Sequence, residues 1–220
     1  MTRGPVVAID GPAAAGKGTL ARRIAAALGL PYLDTGLLYR AVGRRVLDGG
    51  GDPGDPATAE AAARQLRPDD LRRDNLRGPE ADAAAASVAA IPAVRAALLD
   101  FQRGFATAQG AVLDGRDIGT AVCPDATVKL FVTASREARA ERRFRELRQR
   151  GAAAIYGDVL QDMKERDARD SLRRVAPLTA APDAVIIDTT GLDADQVFEQ
   201  ASDIIARALA DHQPPSDKRG

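Results

Sequence analysis

Lys17 is the residue whose type and place point most directly to chemistry. It closes a run of small residues, Gly11, Pro12, Ala13, Ala14, Ala15 and Gly16, and is followed by Gly18 and Thr19. Gly11 to Lys17 matches the glycine-spaced pattern of a phosphate-binding loop. In such loops successive backbone amides and the positive end of the following helix surround a β-phosphate, while the lysine ammonium reaches the β- and γ-phosphates. The context is the one this chemistry requires: the apolar run Val6 to Ile9 precedes the loop and an amphipathic stretch follows it. Gly18 stands where many such loops carry Ser or Thr, and Thr19 comes one place later, positioned to face a magnesium ion or to help cap the helix. An alanine at positive φ carries strain, so negative φ is expected at Ala13, Ala14 and Ala15.

A nucleoside triphosphate held there could be hydrolysed as a switch or passed to an acceptor, and two arginine-rich stretches favour transfer. SREARAERRFRELRQR at 135–150 carries seven arginines against three glutamates. Taken alone, that stretch reads equally well as a solvated helix face. In KERDARDSLRR at 164–174, Arg166, Asp170 and Arg173 follow a helical i, i+4, i+7 spacing and share one face. Further acids and an arginine, Asp114, Arg116 and Asp117, sit in LDGRDIGT at 113–120, and LDTG occupies 33–36. Both segments follow short apolar runs, so they fall at the carboxyl ends of strands, where open α/β sheets bind ligands.

The elements that must position these groups are legible as alternating apolar runs and helical patterns, the signature of an α/β fold with a parallel sheet. Strands are expected at Val6 to Ile9, Tyr32 to Leu33, Ala111 to Leu113, Thr127 to Val132 and Ala184 to Ile187. Helices are expected at about 17–28, 36–48, 57–66, 80–90, 93–108, 135–150, 155–173 and 193–210. The surplus of helices falls after GGGDPGDPAT, so 49–108 reads as an inserted helical lobe within a core of 1–48 and 109–211, and 212–220 as a flexible tail.

Composition narrows the function. Basic and acidic residues number 31 each, so no global field draws the chain to nucleic acid or to an anionic membrane. Twenty-seven of the basic residues are arginines, whose planar fork grips phosphate in two places. With 45% hydrophobic and 28% charged residues the composition is that of a globular chain, and the length suits one domain with a small insertion. The single cysteine, Cys123, allows no internal disulfide, which fits a reducing cytoplasm. The apolar run at the N-terminus is too short for a signal peptide, and 18 apolar residues nowhere occur in succession. The one histidine, His212, lies in the tail, so acid-base catalysis by histidine is not expected. Without a long apolar patch, the expected state is a monomer.

GPAAAGKGTL, YLDTGLLYR, LDGRDIGT and KERDARDSLRRVAPL resemble, in order and spacing, the signature segments of bacterial cytidylate kinases, within the nucleoside monophosphate kinases. The resemblance covers about residues 5–209. It implies a five-stranded parallel sheet core, an acceptor-binding lobe, an arginine-rich lid at about 143–160, and transfer of the ATP γ-phosphoryl group to CMP or dCMP with Mg2+. Matched residue by residue, Gly11 to Thr19 hold the donor phosphates, and Arg139, Arg142 and Arg143 fall in the lid that closes over ATP. Thr35, Arg40, Arg95 and Arg116 match acceptor-binding positions, with Asp114 and Arg77 as further candidates. Asp117 matches the acid that reads cytosine, Arg166 and Asp170 the pair near the ribose, and Arg173 a phosphate-directed arginine. Lys17, Arg116 and Arg173 are the expected catalytic groups, and Thr19 and Asp34 the side chains expected to face magnesium.

The chain departs from the family in three places. Ala13 and Ala14 replace the usual Ser-Gly, the lobe is short, and the base-contacting serine aligns with Ala86, Ser87 being one step along. The alternatives are another small-molecule kinase, acting on UMP, AMP or a metabolite hydroxyl that Asp34 or Asp117 would deprotonate, and a nucleotide-dependent switch or binding protein.

Overall fold

The computed structural model describes residues 4–106, 109–173 and 175–211. His212 and the expected tail lie outside these residues. Five strands, β1 (Val6–Asp10), β2 (Tyr32–Asp34), β3 (Ala111–Gly115), β4 (Val128–Thr133) and β5 (Val185–Asp188), form one sheet in the order β2-β3-β1-β4-β5. The pairings of β1 with β3, β1 with β4 and β4 with β5 are parallel. Eight helices accompany them among the described residues: α1 (Lys17–Leu28), α2 (Thr35–Asp48), α3 (Pro56–Arg64), α4 (Pro79–Ala89), α5 (Pro92–Ala106), α6 (Arg136–Gln149), α7 (Tyr156–Ser171) and α8 (Ala194–Asp211). This is the expected α/β order, with boundaries moved by one or two residues. The last two positions of the fifth expected helix, 107 and 108, lie outside the described residues.

The chain divides into two compact units, Met1–Tyr32 with Ala108–Gly220, and Leu33–Thr107. In the first, β3 is buried along its length and β1 nearly so. Val7, Ile9, Val112, Leu130 and Ile187 from the sheet pack with Leu20 and Ile24 of α1 and Val197 and Ile205 of α8. A smaller apolar cluster joins Ala13, in the loop after β1, to Ala140 of α6 and to Val159 and Met163 of α7. Helix starts are set locally: Ser135 caps α6 by accepting from the Ala138 N–H, and Gly29, at φ 65°, ends α1 in a left-handed turn.

The second unit begins at Leu33, not at 49 as the loop signals imply. The reason is α2, whose small-residue face packs on α4: a Cβ built on Gly43 would stand 2.7 Å from the Ala84 Cβ. Arg40 to Asp82 (3.0 Å) and Arg44 to Glu80 (2.6 Å) rim the same contact. A helix tied this way belongs with the lobe. The second unit is helical, with a short 3₁₀ turn at Pro68–Arg72 between α3 and α4.

No single helix among the described residues is long and apolar enough to cross a membrane. The packing yields a stability test. Gly43→Ala should destabilise by about 1–3 kcal/mol despite alanine's better helix propensity, because the added methyl meets Ala84. Gly104→Ala, on α5 with open space around its Cβ, should instead stabilise by up to about 1 kcal/mol. Urea unfolding of the two variants should give shifts of opposite sign.

Candidate active site

The loop after β1 is shaped by close backbone approaches. A Cβ at Gly11 would fall 1.9 Å from the Val132 carbonyl oxygen, and φ there is 143°, so only glycine fits. The expectation of negative φ throughout the alanine run fails at Ala14, where φ is 58°. Its neighbours explain why. The Ala13 side chain is buried against α6 and α7 and its carbonyl accepts from Arg139 Nη1 (3.3 Å), while the Ala15 carbonyl accepts from Thr189 Oγ1 (3.2 Å). With both sides held, the turn is made at Ala14 in the left-handed region, at a cost of about 1–2 kcal/mol for a non-glycine residue. Gly16, at φ 94°, then leads into α1 with no capping side chain. The first-turn amides keep their donor capacity for an anion.

Lys17 is buried, and its Nζ donates to the Pro12 carbonyl at 2.6 Å. Burial and the nearby Arg116 and Arg166 cations push its pKa well below the usual lysine range, against the pull of Asp114 and Asp10. An anionic phosphate would oppose those effects and favour the ammonium. Asp114 is itself buried and accepts from Tyr32 Oη at 3.1 Å. Thr19 is exposed on the first turn of α1.

The strand ends bring a second set of charges beside Lys17. Arg116, just past β3, donates from Nε to Asp170 Oδ2 (2.8 Å) and from Nη1 to the Gly115 carbonyl (3.3 Å). Arg173 pairs with the other oxygen of Asp170. Burial alone would raise the Asp170 pKa, but the two guanidiniums overcome it and hold the carboxyl at about 2. Arg166 is half-buried on the same helix, α7. Asp117 is buried at the start of a wide i→i+5 turn, Ile118–Val122, that the sequence reading leaves as a loop.

The arginines of α6 occupy distinct places. Arg139 is buried and grips Asp167 of α7 with both terminal nitrogens (2.9 and 2.7 Å) while touching the loop at Ala13. Arg142 donates to the hydroxyl and carbonyl of Thr189, after β5. Arg143 pairs with Glu146 on its own helix.

In the second unit, Thr35 is buried at the start of α2, and Asp34 caps that helix by accepting from the Leu37 N–H (3.1 Å). Arg40 bonds Asp82 and lies 4.0 Å from Asp34. Arg95 lies over the Tyr39 ring, 5.5 Å from its centre, and donates to the Ala89 carbonyl. Arg77 is exposed in the bend before α4. Ala86 is half-buried, whereas exposed Ser87 donates to the Ala83 carbonyl of its own helix.

Three groups in this chemistry escaped the sequence reading. Asp10 ends β1, accepts from the N–H groups of Ile118 (2.8 Å) and Gly119 (2.7 Å), and is pushed up to about 6, mainly by burial. Asp167 holds Arg139, and Thr189 links the loop to Arg142. Asp167 stands three residues before Asp170, a spacing that signals a shared helical face. Nothing local marks Asp10 or Thr189. No cluster of three or more metal-binding side chains of His, Cys, Asp or Glu occurs among the described residues.

A family model described as cytidylate kinase matches residues 7–207. Proteins named cytidylate kinase from Granulibacter bethesdensis and Paramagnetospirillum magneticum are each 65% identical to this chain. They align over 92% and 91% of it and over 97% of their own lengths. A third, from Acidiphilium cryptum, is 60% identical over 96% of this chain and 99% of its own. Two solved structures share the fold at low identity. An uncharacterized protein from Eubacterium ventriosum is 15% identical, with a TM-score of 0.52 over 92% of this chain and 98% of its own. A gluconokinase from Sinorhizobium meliloti is 16% identical, with a TM-score of 0.50 over 94% of each chain.

The Asp170 pairing has a pH signature. Its folded pKa of about 2 lies below the ordinary 3.8, so its stabilisation is full above about pH 4 and disappears as pH falls through 2. The shift corresponds to about 2 kcal/mol. Asp170→Asn should therefore be less stable by up to that amount at pH 7, with the gap closing by about pH 2. Urea unfolding from pH 7 downward measures it, and a gap independent of pH would exclude the ion pairs as its source.

Proposed function

The chain belongs to the cytidylate kinase family, and we propose that it transfers the γ-phosphoryl group of ATP to CMP or dCMP, giving CDP or dCDP and ADP. The observation that carries this reading is the gathering of Lys17, Arg116, Arg166 and Arg173 with Asp114 and Asp170 beside a phosphate-binding loop. The acceptor atom is a phosphate oxygen, already anionic at neutral pH, so no base is needed to make the nucleophile. Catalysis reduces to aligning two polyanions and neutralising the charge on the transferred group.

In this scheme the loop amides and Lys17 hold the donor. Arg139 contributes by fixing the Ala13 carbonyl, and Arg142 and Arg143 are the donor-facing arginines of α6, next to a lid at about 143–160. Arg116 and Arg173 meet the transferred or acceptor phosphate, their planes set by Asp170. Arg166 and Asp170 serve the ribose, and Asp117 accepts from the exocyclic amine of cytosine. Thr35, Arg40, Arg77 and Arg95 are the acceptor-binding candidates of the second unit, and Asp114 is a further candidate of the first. The Thr19 hydroxyl fits Mg2+, which uses few side-chain oxygens and takes most ligands from phosphates and water. When bound, that ion would neutralise phosphate charge. Asp34, engaged as a helix cap, is the weaker of the two proposed metal-facing groups.

An assay of ADP formation with CMP, dCMP, UMP, AMP and shikimate tests the reading. CMP and dCMP should give the highest kcat/KM, with little ADP formed when no acceptor is present. Acceptor-independent hydrolysis, or preference for a hydroxyl acceptor, would overturn the proposal. Lys17→Ala should fold and lose at least about 100-fold in rate, since nothing else in the loop supplies a point charge.

A further inference from the structure

We propose that Asp10 is the positioning residue of the cytosine reader, holding Asp117 through the backbone that follows it. The inference rests on the reading of Asp117 given above. Asp10 ends β1 and is 5% exposed, and its two oxygens accept separately from Ile118 N–H at 2.8 Å and Gly119 N–H at 2.7 Å. Those amides open the Ile118–Val122 turn. Within the turn the Asp117 carbonyl accepts from Ala121 and Val122, and the Ile118 carbonyl from Cys123. The first two amides therefore need an acceptor from elsewhere.

An aspartate at the residue before a helical turn ordinarily supplies that acceptor from its own side chain. Asp117 makes no such bond. The carboxylate comes instead from a strand more than a hundred residues away in sequence, so Asp117 is not consumed in capping its own turn. The parallel register makes the substitution possible: Asp10 lies opposite Gly115, two residues before Asp117. Gly119 completes the fit, since a Cβ there would stand 3.4 Å from Asp10 Oδ2 and 3.1 Å from Lys129 Cδ. The capping bonds fix the peptide planes immediately after Asp117 and with them the direction of its side chain. Specificity for the base thus depends on a residue that need never touch it.

Asp10→Asn tests this, because the isosteric amide directs a donor at one of the two N–H groups. The CMP to UMP ratio of kcat/KM should fall about 10-fold or more. Asp117→Asn alone should lower the same ratio. The double variant should be no worse than Asp117→Asn alone, because residues acting as one unit are not additive. If Asp117→Asn lowers the ratio and Asp10→Asn does not, the positioning role is overturned and the reader stands. If Asp117→Asn leaves the ratio unchanged, the reader itself is wrong and this inference goes with it. Additive losses would also overturn it, as would equal rises in KM for both substrates. Should Asp10→Asn not fold, Gly119→Ala keeps both carboxylates and crowds the capping contact. It should lower the ratio in the same direction, and a wild-type ratio would overturn the proposal.

Discussion

Buried like charges repel and resist desolvation, and that constraint decides where the carboxylates stand. Lys17 is buried with Arg116 and Arg166 near enough to depress its pKa, and Arg139 of α6 is buried against the loop that precedes Lys17. Cations placed this way are tolerated only with anions among them. Asp170 takes Arg116 and Arg173, and Asp167 takes Arg139 with Arg136 nearby. Asp167 and Asp170 share one face of α7, so the helix is clamped by arginines from α6, from the β3 end and from its own C-terminus. Val159 and Met163 seat it against Ala13 from the apolar side. Charge and packing thus set the same helix orientation.

The loop itself follows from what surrounds it. Backbone carbonyls at Pro12, Ala13 and Ala15 accept from Lys17, Arg139 and Thr189, so the alanine run is held by side chains from α1, α6 and the β5 end. Under those contacts Ala14 has to turn left-handed, and the strain is borne by the residue whose neighbours are most firmly fixed. Alanine in that position lowers conformational freedom in the unfolded chain and raises strain in the folded one, two effects that partly offset.

The architecture was legible because its signals are local. Apolar β-branched runs gave the five strands, helical patterns gave the eight helices to within one or two residues, and GPAAAGKG announced the loop. What escaped depends on contacts between distant segments. The φ of Ala14 is set by Arg139 and Thr189, 125 or more residues away. Helix α2 reads as part of the core until Gly43 meets Ala84. Arg139 reads as one of seven arginines on a helix expected either to face solvent or to close over ATP, and only the fold shows it buried in a bidentate pair. Asp10 and Thr189 sit at strand ends, where an acid or a hydroxyl is unremarkable until the register brings its partner opposite.

Pairing arginines with carboxylates has a consequence for the proposed reaction. A guanidinium carries five donors, and Arg116 spends Nε on Asp170 and one Nη1 hydrogen on Gly115, which fixes its plane and leaves the remaining donors for a phosphate. Because Asp170 stays ionised down to about pH 2, that plane is held throughout the neutral range in which a phosphate monoester carries nearly two charges. A phosphate arriving beside Arg116 therefore need not order the side chain, and the entropy of doing so has already been lost in folding. Lys17 is the complementary case. Its ammonium is disfavoured by burial and by Arg116, and a polyanion reverses both effects at once. The arginines are preorganised by carboxylates, whereas the lysine ammonium, disfavoured by its surroundings, would be favoured by an anionic phosphate placed beside it.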